Sequence, residues 1–271
     1  MKDHLLSLAV AQPDTRARLN LVREYLQAHI LRSIQEAGAF AALAFQDGTA
    51  LRFLHGLGRY SEDLDFSLER REHDRGLEHL TTRVKRDFEH AGYEVEATLR
   101  TARAVHSAEV KFPGLLRDAG LTPLKGARLM IRIEVDNRPP AGAVVETRLI
   151  TRHFPISFRV YDLPSCLAGK IHALLSRRCA KGRDLFDLSW YLTRSDHPAP
   201  NFILLRNALE QTGWEGPKVG PRTWRGVLLD RVASLDWPAV LRDVEPFLED
   251  PRDRHLLDRK MLLSELRRGG S

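Results

Sequence analysis

The chain has 271 residues, 43% of them hydrophobic, enough to bury a substantial core as one large domain or two smaller ones. No apolar run reaches the roughly 20 residues that span a bilayer, and Met1 to Leu5 open no secretory signal, so a cytoplasmic protein without a membrane partner is expected. Cys166 and Cys179 exclude a disulfide framework, and a formal charge of +6 with a pI of about 9.5 fits a polyanionic partner without identifying one.

Leu19, Val22, Leu26, Ile30 and Ile34 recur three to four residues apart and predict a helix over 16–44. Its Ala-rich end, with Phe40 and Leu43, leads into a turn at Gly48-Thr49. Ala50, Leu51, Phe53 and Leu54 continue as an apolar helical run that Gly56 and Gly58 stop. Leu64, Phe66 and Leu68 then alternate with Asp63, Asp65 and Ser67, the period of a strand with its acids on one side. A helix is expected at about 74–91, and alternation predicts strands over 93–99 and 105–112. The clearest strand is 128–136. There Leu129, Ile131, Ile133 and Val135 face one way, and Arg132, Glu134 and Asp136 the other. Pro139-Pro140-Ala141-Gly142 ends it, and a last extended piece runs through Phe158 and Val160.

The pattern changes after Pro164. Leu167, Ile171, Leu174 and Leu175 form a helical stripe for which Gly182 is read as the terminator. A second helix begins near Arg183, a third covers 201–211, and the Gly- and Pro-rich stretch 212–222 is a loop. Helical patterns resume at 224–235 and 238–248, and a Lys/Arg/Leu-rich helix closes the chain. The expected organisation is an α/β domain over 1–162 and a helical domain over 163–271.

The residues with chemical potential lie early. A turn that opens a helix points backbone N–H groups at an anion, so Gly48 and Thr49 are candidate phosphate binders. The bland reading is a turn with a threonine cap. Asp63 and Asp65, with Glu134 from a neighbouring strand, would hold divalent ions about 3.5–4 Å apart for phosphoryl or nucleotidyl transfer. Asp136 shares the face of Glu134 and is the substitute third carboxylate. Ser61, two residues before Asp63, would orient the ligands or accept a phosphoryl group, with turn capping as the plainer role. Lys170 beside an apolar stripe reads first as a surface residue with a buried stem, and otherwise as a point charge for a triphosphate. Arg183, Asp184 and Asp187 open the next helix, where acids suit the helix dipole. There is no Gly-Lys-Ser/Thr loop, which argues against a P-loop NTPase. His172, Cys166 and Cys179 lack the spacing of a metal site.

Taken in order, Asp47-Gly48-Thr49-Ala50-Leu51-Arg52-Phe53, Gly56-Leu57-Gly58-Arg59-Tyr60-Ser61-Glu62-Asp63-Leu64-Asp65-Phe66, the strand Arg132-Ile133-Glu134-Val135 with Arg138, the helix Leu167 to Leu174 and the segment Lys181 to Leu188 resemble the AbiEii/AbiGii toxin family of nucleotidyltransferases. The resemblance runs from about residue 40 to 192 and implies an α+β fold: a mixed-sheet core related to DNA polymerase β with a helical C-terminal half. It implies NTP as substrate and Mg2+ or Mn2+ as cofactor, with Asp63, Asp65 and Glu134 as metal ligands and catalytic residues. Gly48, Thr49, Ser61, Lys170 and Asp184 are carried over as nucleotide-site residues, and Arg59 is expected to orient the acidic strand. The implied partners are an antitoxin encoded nearby and an RNA acceptor, first of all a tRNA 3′ end. Kinase-like transfer to a protein Ser/Thr and a non-enzymatic binder are the alternatives. One position departs from the family pattern: Asp47 stands where members carry the first of two glycines, and a carboxylate beside a triphosphate is repulsive unless metal or arginine compensates.

Overall fold

The computed structural model describes residues 1–71, 76–101, 104–196 and 198–268. The chain forms two compact units. The first comprises 1–54, 60–139 and 146–160, and the second 55–59, 140–145 and 161–271.

The first unit is built on a mixed seven-stranded sheet. Its strands are β1 (Leu43–Gln46), β2 (Leu64–Leu68), β3 (Glu96–Arg100), β4 (Val105–Pro113), β5 (Arg128–Asp136), β6 (Val145–Ile150) and β7 (Ile156–Tyr161), in the order β3-β4-β5-β2-β1-β7-β6. β2 runs parallel to β5 and β1 parallel to β7, while β1/β2, β3/β4 and β4/β5 are antiparallel. The helices of this unit are α1 (Lys2–Val10), α2 (Thr15–Glu36), α3 (Asp47–His55), α4 (Gly76–His90) and the short α5 (Leu115–Asp118). α2 starts where Asp14 accepts a hydrogen bond from the Ala17 N–H at 2.8 Å, an N-cap contact. α2 and α4 pack on each other and on β3, β4 and β5. Beneath them lie Ile131, Ile133, Val135, Ala108, Val110 and Phe112, all buried.

The helix expected over 16–44 ends instead at Glu36, where Gly38 takes a left-handed φ of +71° and a 3-10 turn follows. Leu43 to Gln46 then form β1, between β2 and β7. Alanine-rich sequence favours helix, but central placement in the sheet overrides that preference. α1 and β6 were not expected. α1 buries Leu5 and Ala9, and β6 occupies a sheet edge with residues 147–149 exposed. The first two residues of the helix expected at 74–91 lie outside the described residues.

The second unit is helical: α6 (Leu163–Ser176), α7 (Gly182–Thr193), α8 (Phe202–Gln211), α9 (Trp224–Ala233), α10 (Trp237–Val244) and α11 (Arg259–Arg268). Asp162 caps α6 by accepting from the Ser165 N–H at 2.9 Å, with Pro164 in the first turn. Gly182 does not terminate α6. That helix ends at Ser176, and Gly182 is the first residue of α7, packed against the α10 backbone at Val240.

Candidate active site

Strand β2 begins one residue later than the alternation of its sequence implies. Asp63 is the last residue of an irregular lead-in, and Asp65 is the first acid inside the strand. Parallel pairing of β2 with β5 aligns Asp65 with Glu134. Register partners on neighbouring strands lie about 4.8 Å apart and share a face, so these two carboxylates stand side by side. Asp136 aligns with Ser67, one strand repeat further along, and its carboxylate accepts from the Arg138 N–H at 2.8 Å. The register therefore brings Glu134, and not Asp136, beside Asp65. Glu134 is half-buried, with Arg132 at 3.6 Å. On the opposite face, Leu64, Phe66, Ile133 and Val135 are buried, which fixes which way the acids point.

Gly48 and Thr49 lie in the first turn of α3, both buried. Thr49 is not a helix cap here. Its hydroxyl donates to the carbonyl of Asp63, tying the helix start to the acidic lead-in. Ser61 shares this lead-in, and its carbonyl accepts from Gln27 Nε2 of α2 at 3.0 Å. Asp47 has a φ of +66°, the one positive φ at a non-glycine among the described residues. The left-handed region costs an L-residue energy that glycine escapes, and aspartate is among the side chains that tolerate it best. A glycine preference at this position thus has a backbone cause as well as an electrostatic one.

The other candidates belong to the second unit. Lys170 of α6 is 4% exposed, and its ammonium lies 3.2 Å from Asp184 Oδ1 and 2.8 Å from Asp187 Oδ2. Both aspartates are buried one turn apart on α7, and Arg177 pairs with the second oxygen of Asp184. Arg59, 2% exposed, holds Asp187 through two bonds, Nε to Oδ1 and Nη2 to Oδ2, each 2.6 Å. This forked geometry is the strong form of an ion pair, and the partner it gives Arg59 is a helix aspartate. Lys170 is not a surface residue with a buried stem.

Sequence reasoning missed two charges of the first unit. Glu24 and Arg52 are 3% and 1% exposed and joined at 2.5 Å. Their signal is a charge embedded in an apolar run, Leu51-Arg52-Phe53 in one case and Val22 to Leu26 in the other. A cavity of about 280 Å3 lies on the opposite face of the sheet, lined by Leu77, His79, His106 and Val135 among others, and contains none of the candidate residues.

Residues 29–259 match the family model of the nucleotidyl transferase AbiEii toxin of type IV toxin–antitoxin systems. The chain belongs to this family. AbiEii membership makes it a nucleotidyltransferase and implies a nucleotide substrate and an antitoxin partner. Two solved structures share the fold. A candidate nucleotidyltransferase from H. pylori is 20% identical with a TM-score of 0.55, the match covering 92% of each chain. The JHP933 protein of Helicobacter pylori is 18% identical with a TM-score of 0.54, covering 93% of this chain and 90% of its own. No curated protein matches the sequence. Among the described residues no helix is long and apolar enough to cross a membrane.

Proposed function

We propose that this AbiEii-family enzyme transfers a nucleoside monophosphate from an NTP to an RNA hydroxyl, with a tRNA 3′ end as the first-choice acceptor, in the cytoplasm and under restraint by a cognate antitoxin. The nucleotidyltransferase domain would be 1–162 and the helical domain 163–271, with 55–59, 140–145 and 161–162 grouped with the second compact unit. The observation that carries the reading is the register of Asp65 with Glu134, beside the Thr49–Asp63 bond.

Asp63, Asp65 and Glu134 offer hard carboxylate oxygens, the donor set that suits Mg2+ or Mn2+. Divalent ions held there would polarise the α-phosphoryl group and neutralise charge on the leaving pyrophosphate. The acceptor oxygen attacks the α-phosphorus, the bond from that phosphorus to the β-phosphate bridge oxygen breaks, and pyrophosphate departs. Glu134 takes the proton of the attacking hydroxyl. Gly48 and Thr49, opening α3, receive phosphate oxygens at the positive end of the helix. Ser61 supports the lead-in to the acids. Lys170 and Asp184 are the helical unit's nucleotide-site candidates, the Lys170 ammonium kept in place by Asp184 and Asp187.

The test is purified protein with total tRNA, Mg2+ and each α-32P NTP in turn, beside an Asp65→Ala control with an unchanged circular dichroism spectrum. Label on tRNA that vanishes in the control supports the reading and names the base. A fully active Asp65→Ala protein overturns the site. Label retained from γ-32P instead of α-32P would mean kinase chemistry, and no transfer of either label a binding protein.

A further inference from the structure

We propose that Arg52, anchored by Glu24 and lying over Tyr60, is a positioning residue that sets the segment 60–63 and with it the metal-binding geometry of Asp63 and Asp65. The proposal rests on the reading above of these carboxylates as the transfer site.

Thr49 and Arg52 are one turn apart on α3 and so lie on one face of the helix. That face grips both ends of a four-residue segment. Thr49 donates to the Asp63 carbonyl, and the Arg52 guanidinium carbon lies 4.0 Å from the centroid of the Tyr60 ring. The two residues between are held from α2: Gln27 donates to the Ser61 carbonyl at 3.0 Å, and Arg23 lies 3.4 Å from Glu62. Every residue from Tyr60 to Asp63 therefore has a partner on α2 or α3.

Arg52 is in turn immobilised. Its Nε donates to Glu24 Oε2 at 2.5 Å, while the other oxygen of Glu24 accepts from Arg152 Nε at 2.8 Å and meets His153 Nε2 at 3.1 Å. With one edge bonded and one face on a ring, the planar guanidinium has a single orientation. Burying such a pair is costly, and replacing both partners by apolar side chains of similar volume is often neutral or stabilising. What the charge adds is direction. Asp63 leads directly into β2, so a shift of the segment moves the metal ligands relative to Glu134. Groups that orient metal ligands typically change metal affinity or activity about 10–100-fold.

The experiment measures Mn2+ affinity by electron paramagnetic resonance, with urea midpoints and steady-state kinetics, for the wild type, Arg52→Met, Tyr60→Leu, the double variant and Asp65→Ala. Arg52→Met is expected to weaken Mn2+ binding about 10-fold and to lower kcat more than it raises KM for NTP. Tyr60→Leu should do the same, and the double variant no worse than either single one. Wild-type Mn2+ affinity in Arg52→Met overturns the proposal and leaves Arg52 a core residue. Should Arg52→Met fail to fold, Tyr60→Leu decides by the same criterion. A wild type that binds Mn2+ no better than Asp65→Ala overturns the carboxylate reading itself, a different result from the loss of positioning alone.

Discussion

At the scale of single residues, Asp47 and Glu24 show how a charged side chain can be kept at an awkward position. Asp47 holds a left-handed backbone at the start of α3. Replacement by glycine removes that strain, so Asp47→Gly is expected to leave stability unchanged or raise it by up to about 1 kcal/mol in urea unfolding. Removing a negative charge beside the proposed phosphate site should also lower KM for NTP. A clear loss of stability would show that the carboxylate itself supports the loop. Glu24 illustrates the opposite balance. Burial pushes its carboxyl up, but the hydrogen bond with His153 and the charges of Arg52 and Arg152 outweigh it and hold the pKa at about 2. The folded value lies below the ordinary 4.5, so this stabilisation is complete above pH 4.5 and is lost as the pH falls toward 2. Its size is about 3 kcal/mol at neutral pH. The stability gap between wild type and Glu24→Gln should therefore be widest at pH 7 and shrink at pH 3, measured by urea midpoints. A gap constant with pH would mean that the glutamate is not ionised against its partners.

At the scale of elements, Gly182 decides how α7 meets α10. A β-carbon there would run into the Val240 carbonyl oxygen and stand 3.0 Å from its carbon and 3.3 Å from Asp243 Cβ. Backbone cannot yield as a flexible side chain can, so Gly182→Ala is expected to destabilise the helical unit by about 1–3 kcal/mol, read by thermal or urea unfolding. The sequence invited a different reading because glycine more often ends a helix than opens one. Elsewhere the legible elements are those with one wet and one dry face. β5 is readable from Leu129, Ile131, Ile133 and Val135 alternating with charges, because one side of it is buried. β1 is not readable, since Leu43, Ala44 and Phe45 are all buried and leave no alternation to see. The acids at 63, 65 and 134 stand out by the same periodicity. Their register does not, because β2 and β5 pair across two intervening strands of sequence. The Glu24–Arg52 pair is illegible for a related reason: a charge in an apolar run announces burial without naming its partner.

At the scale of the whole molecule, 42 lysines and arginines face 36 acids, and several of the cations are spent internally, on Glu24, Asp184 and Asp187. The net excess is therefore a weak argument for RNA by itself, and the salt dependence of acceptor binding is the sharper one. A polyanionic acceptor releases counterions when arginines and lysines replace them, by about 0.7 per phosphate contacted on a single strand. An acceptor end touching about three phosphates would give a log–log slope of affinity on salt near −2. Raising KCl should then raise KM for tRNA steeply and KM for NTP far less, because buried or metal-held charges are screened much less than exposed ones. The two dependences, measured on one preparation with α-32P NTP, separate the acceptor classes. A steep slope for the acceptor with a shallow one for NTP supports RNA. Equal, shallow slopes would favour a protein hydroxyl, since such an acceptor carries no row of phosphates for the arginines to neutralise.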